Sequence, residues 1–249
     1  MLMTTAISAV TLACGPRVEA ASDLSALLAA RKWTPMRRFF LTFCTVTAAV
    51  TMPAWAAAAG AAVPVGPGPQ QHYTVQGQPK AGSCHYRHTV AKQPLPDVHC
   101  TPGARNPKVT QSTLATTICK TGYTATIRPP VSVTDKEKIA NARSYNYRAT
   151  LTQAEYDHYL PLELGGDPND RRNLWVEPPS PGHATRQGVS NPKDGIETSL
   201  KAMVCHYVRL RSKHQGTATS YLPLTRAQQL MTSNWATAKA LATKYLVHV

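Results

Sequence analysis

Residues 156–200, YDHYLPLELGGDPNDRRNLWVEPPSPGHATRQGVSNPKDGIETSL, leave this chain little freedom. Two short apolar runs, 160–164 and 173–176, flank Gly165-Gly166-Asp167-Pro168, a sequence made to turn a chain. The pattern predicts a hairpin with those runs as its two strands. Pro178-Pro179 and Pro181-Gly182 then forbid regular structure. Asn191-Pro192 begins a helix, with Asn at the N-cap and Pro in the first turn. Ile196, Leu200, Met203, Val204 and Val208 recur every three or four residues and give it one apolar face. Lys193, Glu197 and Lys201 line another face, four residues apart. A hairpin and a helix start thus bring Asp157, His158, Asn173 and Asn191 back toward one another.

These residue types suit phosphodiester hydrolysis. That reaction needs a cation to neutralise the phosphate and a base to deprotonate water. Imidazole titrates near neutral pH, so His158 is the candidate base. Asp157 and Asn191 are candidate oxygen ligands for a hard divalent ion. Asn173 is expected to fix the hairpin loop or the imidazole. The helix N-terminus would favour a nearby phosphate. Arg171, Arg172 and Lys193 are the candidate nucleic-acid contacts, the guanidinium fork being well matched to phosphate. Trp175 is expected in the core, and Glu163 as a surface charge. One geometric condition follows: neighbouring strand residues face opposite sides, so Asp157 and His158 share a site only if the strand kinks or bulges.

Upstream, Met36-Arg37-Arg38 leads into the apolar run 39–52, which Pro53 breaks before the small-x-small site Ala54-Trp55-Ala56. This reads as an export signal over 36–60, too short to span a membrane comfortably. Residues 1–35 would then be a mis-assigned upstream segment, translation starting at Met36. Residues 61–80, rich in Ala, Gly, Pro and Gln, read as a flexible linker, and 81–249 as the functional domain. Five of the 27 basic and two of the 13 acidic residues precede Ala57, so the remainder carries about +11. Such a charge attracts polyanions, nucleic acid among them.

Past the leader four cysteines remain, Cys84, Cys100, Cys119 and Cys205. In an exported chain they read as two disulfides with three possible connectivities. The preferred one joins Cys84 to Cys100 and Cys119 to Cys205. His85, His88 and His99 are expected as surface histidines rather than a metal cluster. The Thr-, Ile- and Tyr-rich run 113–127 suggests extended structure with a turn at 120–122. A helix is expected from about Val133, capped by Thr134 or Asp135, with Ile139 and Ala142 on its apolar face. Another is expected from Leu224 to Trp235, capped by Thr225, with 236–246 continuing it or forming a last helix.

The pieces DHYLPLELGG, NLW and NPKDGIE resemble the HNH, or ββα-metal, endonucleases, in particular secreted bacterial members with a DH…GG…NLW signature. The likeness covers about residues 100–240. It implies an α+β fold: a hairpin-plus-helix core with additional helices and disulfide-braced loops. It also implies Asp157 as metal ligand, His158 as general base and Asn173 as the brace. The third family position, a metal ligand, falls on Asn191, with His183 as the other candidate. The implied cofactor is one divalent ion, Mg²⁺ first, with Mn²⁺, Ni²⁺ or Zn²⁺ open. The implied protein is a secreted or periplasmic monomer acting on DNA rather than RNA, without stable membrane insertion after cleavage; an immunity partner is not legible. Competing readings are a cell-wall glycoside hydrolase using Asp157 and Glu163, and a secreted nucleic-acid-binding module without activity.

Overall fold

The chain divides into two units, Met1–Ala54 and Trp55–Val249. This computed structural model describes residues 62–183, 191–212 and 220–248, all in the second unit. The upstream segment and the export signal predicted for 1–60 lie outside the described residues. No helix among the described residues is long and apolar enough to cross a membrane.

The described part is α+β. Its elements are β1 (Arg87–His88), β2 (Pro94–Leu95), α1 (Tyr123–Thr126), α2 (Val131–Ser144), β3 (Glu155–His158), β4 (Leu174–Glu177), α3 (Pro192–Arg211), β5 (Ser220–Tyr221), α4 (Leu224–Ala242) and β6 (Val247–His248). The strands pair in sequence order as three antiparallel ribbons, β1–β2, β3–β4 and β5–β6. Helices α3 and α4 pack on each other. The main core joins Leu114, Tyr159, Leu164, Trp175, Leu200 and Trp235. Both disulfides take the preferred pairing, Cys84–Cys100 and Cys119–Cys205, at sequence separations of 16 and 86. Closing loops of these lengths is worth about 3 and about 4–5 kcal/mol in the loop-entropy account.

The hairpin exists, but its first strand lies earlier than predicted. β3 is Glu155–His158, in register with β4 as Glu155↔Glu177, Tyr156↔Val176, Asp157↔Trp175 and His158↔Leu174. The run 160–164, predicted as a strand, contains Pro161 and closes as the 3-10 turn Leu162–Leu164, which Gly165 ends at φ 77°. Only glycine takes that conformation without strain. Both Leu162 and Leu164 are buried, so the apolar signal was real and the conformation was not.

Three further expectations are corrected. Residues 113–127 are helical and turn structure, not extended: a 3-10 turn at Leu114–Thr116 and the short α1. Threonine hydroxyls close these turns locally, Thr116 and Thr117 donating to the Thr113 carbonyl and Thr126 to that of Tyr123. Such local bonds compete with strand pairing. The predicted side-chain caps are absent. α2 and α4 begin directly after Pro130 and Pro223, and Asn191 stands at the N-cap of α3 without capping it. Finally, 62–80 is docked rather than a free linker. Gly66 N–H donates to the Arg105 carbonyl at 2.9 Å, and Tyr73 Oη to that of Ile127 at 2.7 Å.

Of the two residues predicted for the apolar face of α2, Ala142 is buried and Ile139 is exposed. The buried side is otherwise largely polar, with Glu137, Asn141 and Ser144 beside Val133. Burying such groups is tolerated because each finds a partner. Glu137 accepts from Gln76 N at 2.6 Å, and Ser144 Oγ donates to the Pro79 carbonyl at 2.5 Å. Asn141 accepts from Val176 N at 2.8 Å, closing the outer edge of β4. α2 is thus the surface that clasps the arm on one side and the hairpin on the other.

Near the first disulfide, the Asp97 carboxylate accepts from His85 N and His99 N, both at 2.8 Å. Burial pushes its pKa up, but these backbone donors outweigh burial and hold it below the ordinary carboxylate value. A carboxyl depressed on folding stabilises above its unfolded pKa, and the effect is lost as pH falls through the folded value. Asp97→Asn is expected to cost about 1–2 kcal/mol at pH 7. In urea titrations the gap from wild type should narrow progressively below about pH 4. A gap independent of pH would contradict this assignment.

Candidate functional site

His158 ends β3 and is 6% exposed. Its Nε2 lies 3.0 Å from the Pro168 carbonyl. A carbonyl only accepts, so Nε2 carries the proton and the lone pair sits on Nδ1. Burial holds the imidazolium down at about 4 against the opposing pull of Asp157, so at neutral pH the ring is in its basic form.

Asp157 leaves the strand toward α3, where its carboxylate meets the ammonium of Lys193. No bulge interrupts β3, so the kink expected for a shared site is not there: His158, the last paired residue, turns to the Pro168 carbonyl while Asp157 turns to Lys193, and what links the two is electrostatic. The Lys193 ammonium outweighs burial and holds the Asp157 pKa low.

Around this point stand five of the chain's 13 acidic side chains, Glu155, Asp157, Glu177, Asp194 and Glu197. Period-two alternation puts Glu155 and Asp157 on one face of β3, and the register sets Glu177 across from Glu155. Glu197 comes from α3, its Oε1 2.5 Å from Lys193 Nζ. Burial raises Glu155 to about 7 and Glu197 to about 8, and it lifts Glu177 well above the carboxylate range, where the Asp157 charge adds to the rise. Lys193 stands at their centre, and Lys138 of α2 acts on Glu155. Lys193 is fully buried and donates to Asp157, to Glu197 and to the His158 carbonyl at 2.9 Å, with Glu177 Oε2 at 3.9 Å.

Lys193 therefore corrects an expectation: a side chain wholly inside the protein, with its three N–H groups spent, does not contact nucleic acid. Its predicted partnership with Glu197 is present, but in the interior rather than on a solvated face. Arg172 is likewise committed, to Asp170 at 2.5 Å and the Val65 carbonyl at 3.0 Å. Arg171 is exposed. Asn191 is buried, its Oδ1 3.4 Å from Ser180 N and its amide hydrogen-bonded to Glu155, so the structure does not bring it to Asp157. His183 is exposed in the loop beyond β4. Glu163 pairs with Lys201 at 3.0 Å, not with Asp157.

Asn173 takes the loop-bracing role of the two expected for it. Fully buried, it accepts from Leu160 N at 2.9 Å and Ala104 N at 3.2 Å and donates to the carbonyls of Leu160 and Asp167 at 3.0 and 2.9 Å. With all these bonds made, it is a positioning residue and has no reach into the chemistry. The same close packing explains Gly166, where a Cβ would sit 1.8 Å from the Leu160 carbonyl oxygen. Gly166→Ala is expected to cost about 3 kcal/mol or more, since backbone itself must shift; a thermal midpoint close to wild type would contradict this.

Three residues escaped the sequence reading. Glu155 and Glu177 were legible in principle, through strand period and register. Arg128 was not. It is exposed, and its positive charge acts on His158 from a loop distant in sequence.

The donor set can be tested against a divalent ion. Among the described residues, no three His, Cys, Asp or Glu side chains form a ready cage. A cage is not required, since Mg²⁺ commonly takes one or two carboxylates and completes its shell with water and substrate phosphate. Asp157 remains 23% exposed, and buried Glu177, held protonated, shares a hydrogen bond with it. Two carboxyls that share a proton, one of them accessible, fit a hard cation that displaces it. Set against known proteins, the chain matches no protein-family model, no curated protein and no solved structure.

Proposed function

We propose that this protein is an exported, metal-dependent endonuclease of the HNH type, with β3, β4 and α3 as its ββα-metal core. The observation that carries the reading is a neutral His158, its Nε2–H held by the Pro168 carbonyl and its ring within electrostatic reach of Asp157, which shares a hydrogen bond with Glu177. Asp157 and Glu177 are the residues that would hold the ion, Mg²⁺ foremost. When bound, it supplies a Lewis acid at the scissile phosphate. His158 takes the proton of the attacking water on Nδ1. Lys193 and Glu197 keep Asp157 in place against α3. Arg128 and Arg171 orient the phosphate, and the basic surface draws in DNA. The two disulfides accord with a secreted or periplasmic protein.

Supercoiled plasmid incubated with the oxidised protein and Mg²⁺, Mn²⁺ or Ni²⁺ tests this. Nicking that EDTA stops is expected. Salt-sensitive DNA binding without cleavage would favour the binding-module reading instead. Release of cell-wall fragments with EDTA present would favour the glycoside hydrolase.

A further inference from the structure

The imidazole of His158 has one fixed tautomer only if the Pro168 carbonyl stays where it is. The segment whose composition reads as a tether is what keeps it there. Pro168 sits between Asp167 and Asn169, and the arm grips both neighbours. Gly68 N–H donates to Asp167 Oδ2 at 2.6 Å, and Asn169 Nδ2 donates to the Thr74 carbonyl at 2.9 Å. Asp167, fully buried, uses its other oxygen to accept from Asn169 N and Asp170 N at 3.0 and 2.9 Å. Its backbone is pinned as well, N–H to the Ala104 carbonyl at 2.8 Å and C=O to Asn173 at 2.9 Å. The arm backbone lies directly on this carboxylate, for a Cβ on Gly66 would meet Asp167 Oδ2 at 2.3 Å. Further along, Gln76 N–H donates to Glu137 at 2.6 Å, and Gln78 accepts from Asn141 at 2.9 Å, anchoring the arm to α2.

We infer that Asp167 and the arm 66–78 are positioning elements for His158, acting through the Pro168 carbonyl to keep the proton on Nε2 and the lone pair on Nδ1. Arm, turn and ring form one chain of hydrogen bonds. Pulling the arm away frees Asp167 Oδ2 and Asn169, lets the 167–170 turn relax, and removes the acceptor that selects the tautomer. The domain therefore begins at the arm, and a proteolytic cut within 66–78 would silence the site without touching it. The effect on cleavage rests on the function proposed above; the effect on the ring does not.

The test reads the ring directly, by long-range ¹H–¹⁵N correlation spectra of the histidines in the oxidised full-length protein, with His158→Asn to assign the signal. Two variants loosen the arm. In Asp167→Asn the side-chain oxygen can still serve the turn while an N–H₂ faces the Gly68 N–H. Gly66→Val drives a side chain into Asp167. Gly77→Ala is the control, since a Cβ there meets nothing within 4 Å. Wild type and the control are expected to show the Nε2–H tautomer alone. The two loosened variants should show a mixture of tautomers, with circular dichroism unchanged and any nicking reduced tenfold or more. Should both keep the pure Nε2–H tautomer, the inference is overturned. Mixed tautomers in a protein that never nicks DNA would uphold it and overturn the proposed function instead. Asp167→Asn is nearly isosteric and decides the matter alone if Gly66→Val does not fold.

Discussion

Lys193→Met is expected to be among the most destabilising single substitutions in this protein, at about 3–5 kcal/mol. The ammonium is fully buried and donates to Asp157, to Glu197 and to the end of β3. Methionine fills similar space but leaves these acceptors without a donor and the carboxyls without a counter-charge. Some of the loss is offset, because burial already favours the protonated forms of Glu177 and Glu197. Asp157 has no such relief, its pKa being held low chiefly by the lysine acting against burial. Urea unfolding at pH 7 measures the cost. Millimolar Mn²⁺ should recover part of it, because an ion that binds the folded carboxylates and not the unfolded chain stabilises by mass action. A loss under about 1 kcal/mol would mean that the lysine is no more than a space-filler.

His158→Gln is expected to lower the plasmid-nicking rate by about 10²–10⁴-fold while moving the thermal midpoint little. Glutamine is chosen because its amide nitrogen overlays Nε2 and can still donate to the Pro168 carbonyl, so the turn keeps its partner while the basic nitrogen is lost. The expected separation of activity from stability is the point of the substitution. A parallel fall in both would make His158 a core residue.

How much of this was legible in the sequence depends on the range of the interaction. Asn191-Pro192 and the spacing of Leu200 and Val204 marked α3 because a helix start and its face are written locally. Leu224 likewise opens α4, and at Asn234 (φ −162°, ψ 97°) a kink divides it into two helical segments, close to the end expected at Trp235. The cystine pairing is one of three connectivities the four cysteines leave open, and the structure takes the one with a short first loop and a tie to the late helix. What failed was long-range. Pro161 and a glycine in the left-handed region turned an apolar run into a 3-10 turn, so the strand that carries the site lies before that run. The composition of 62–80 lacks periodicity, as a free tether would. Its order comes from partners as far away in sequence as Asp167, across 99 residues. Lys193 looked like a surface charge because its helical neighbours are polar; the Asp157 and Glu177 that bury it arrive from the hairpin.

The central claim is that a base and an ion together cut a phosphodiester bond. Single-turnover cleavage of a 5′-labelled DNA duplex tests it most directly, with wild type in Mg²⁺, wild type in EDTA, and His158→Gln in Mg²⁺. The account predicts product in the first reaction and none above background in the other two. Equal product in all three, or none in the first with Mn²⁺ or Ni²⁺ in place of Mg²⁺ as well, would contradict it.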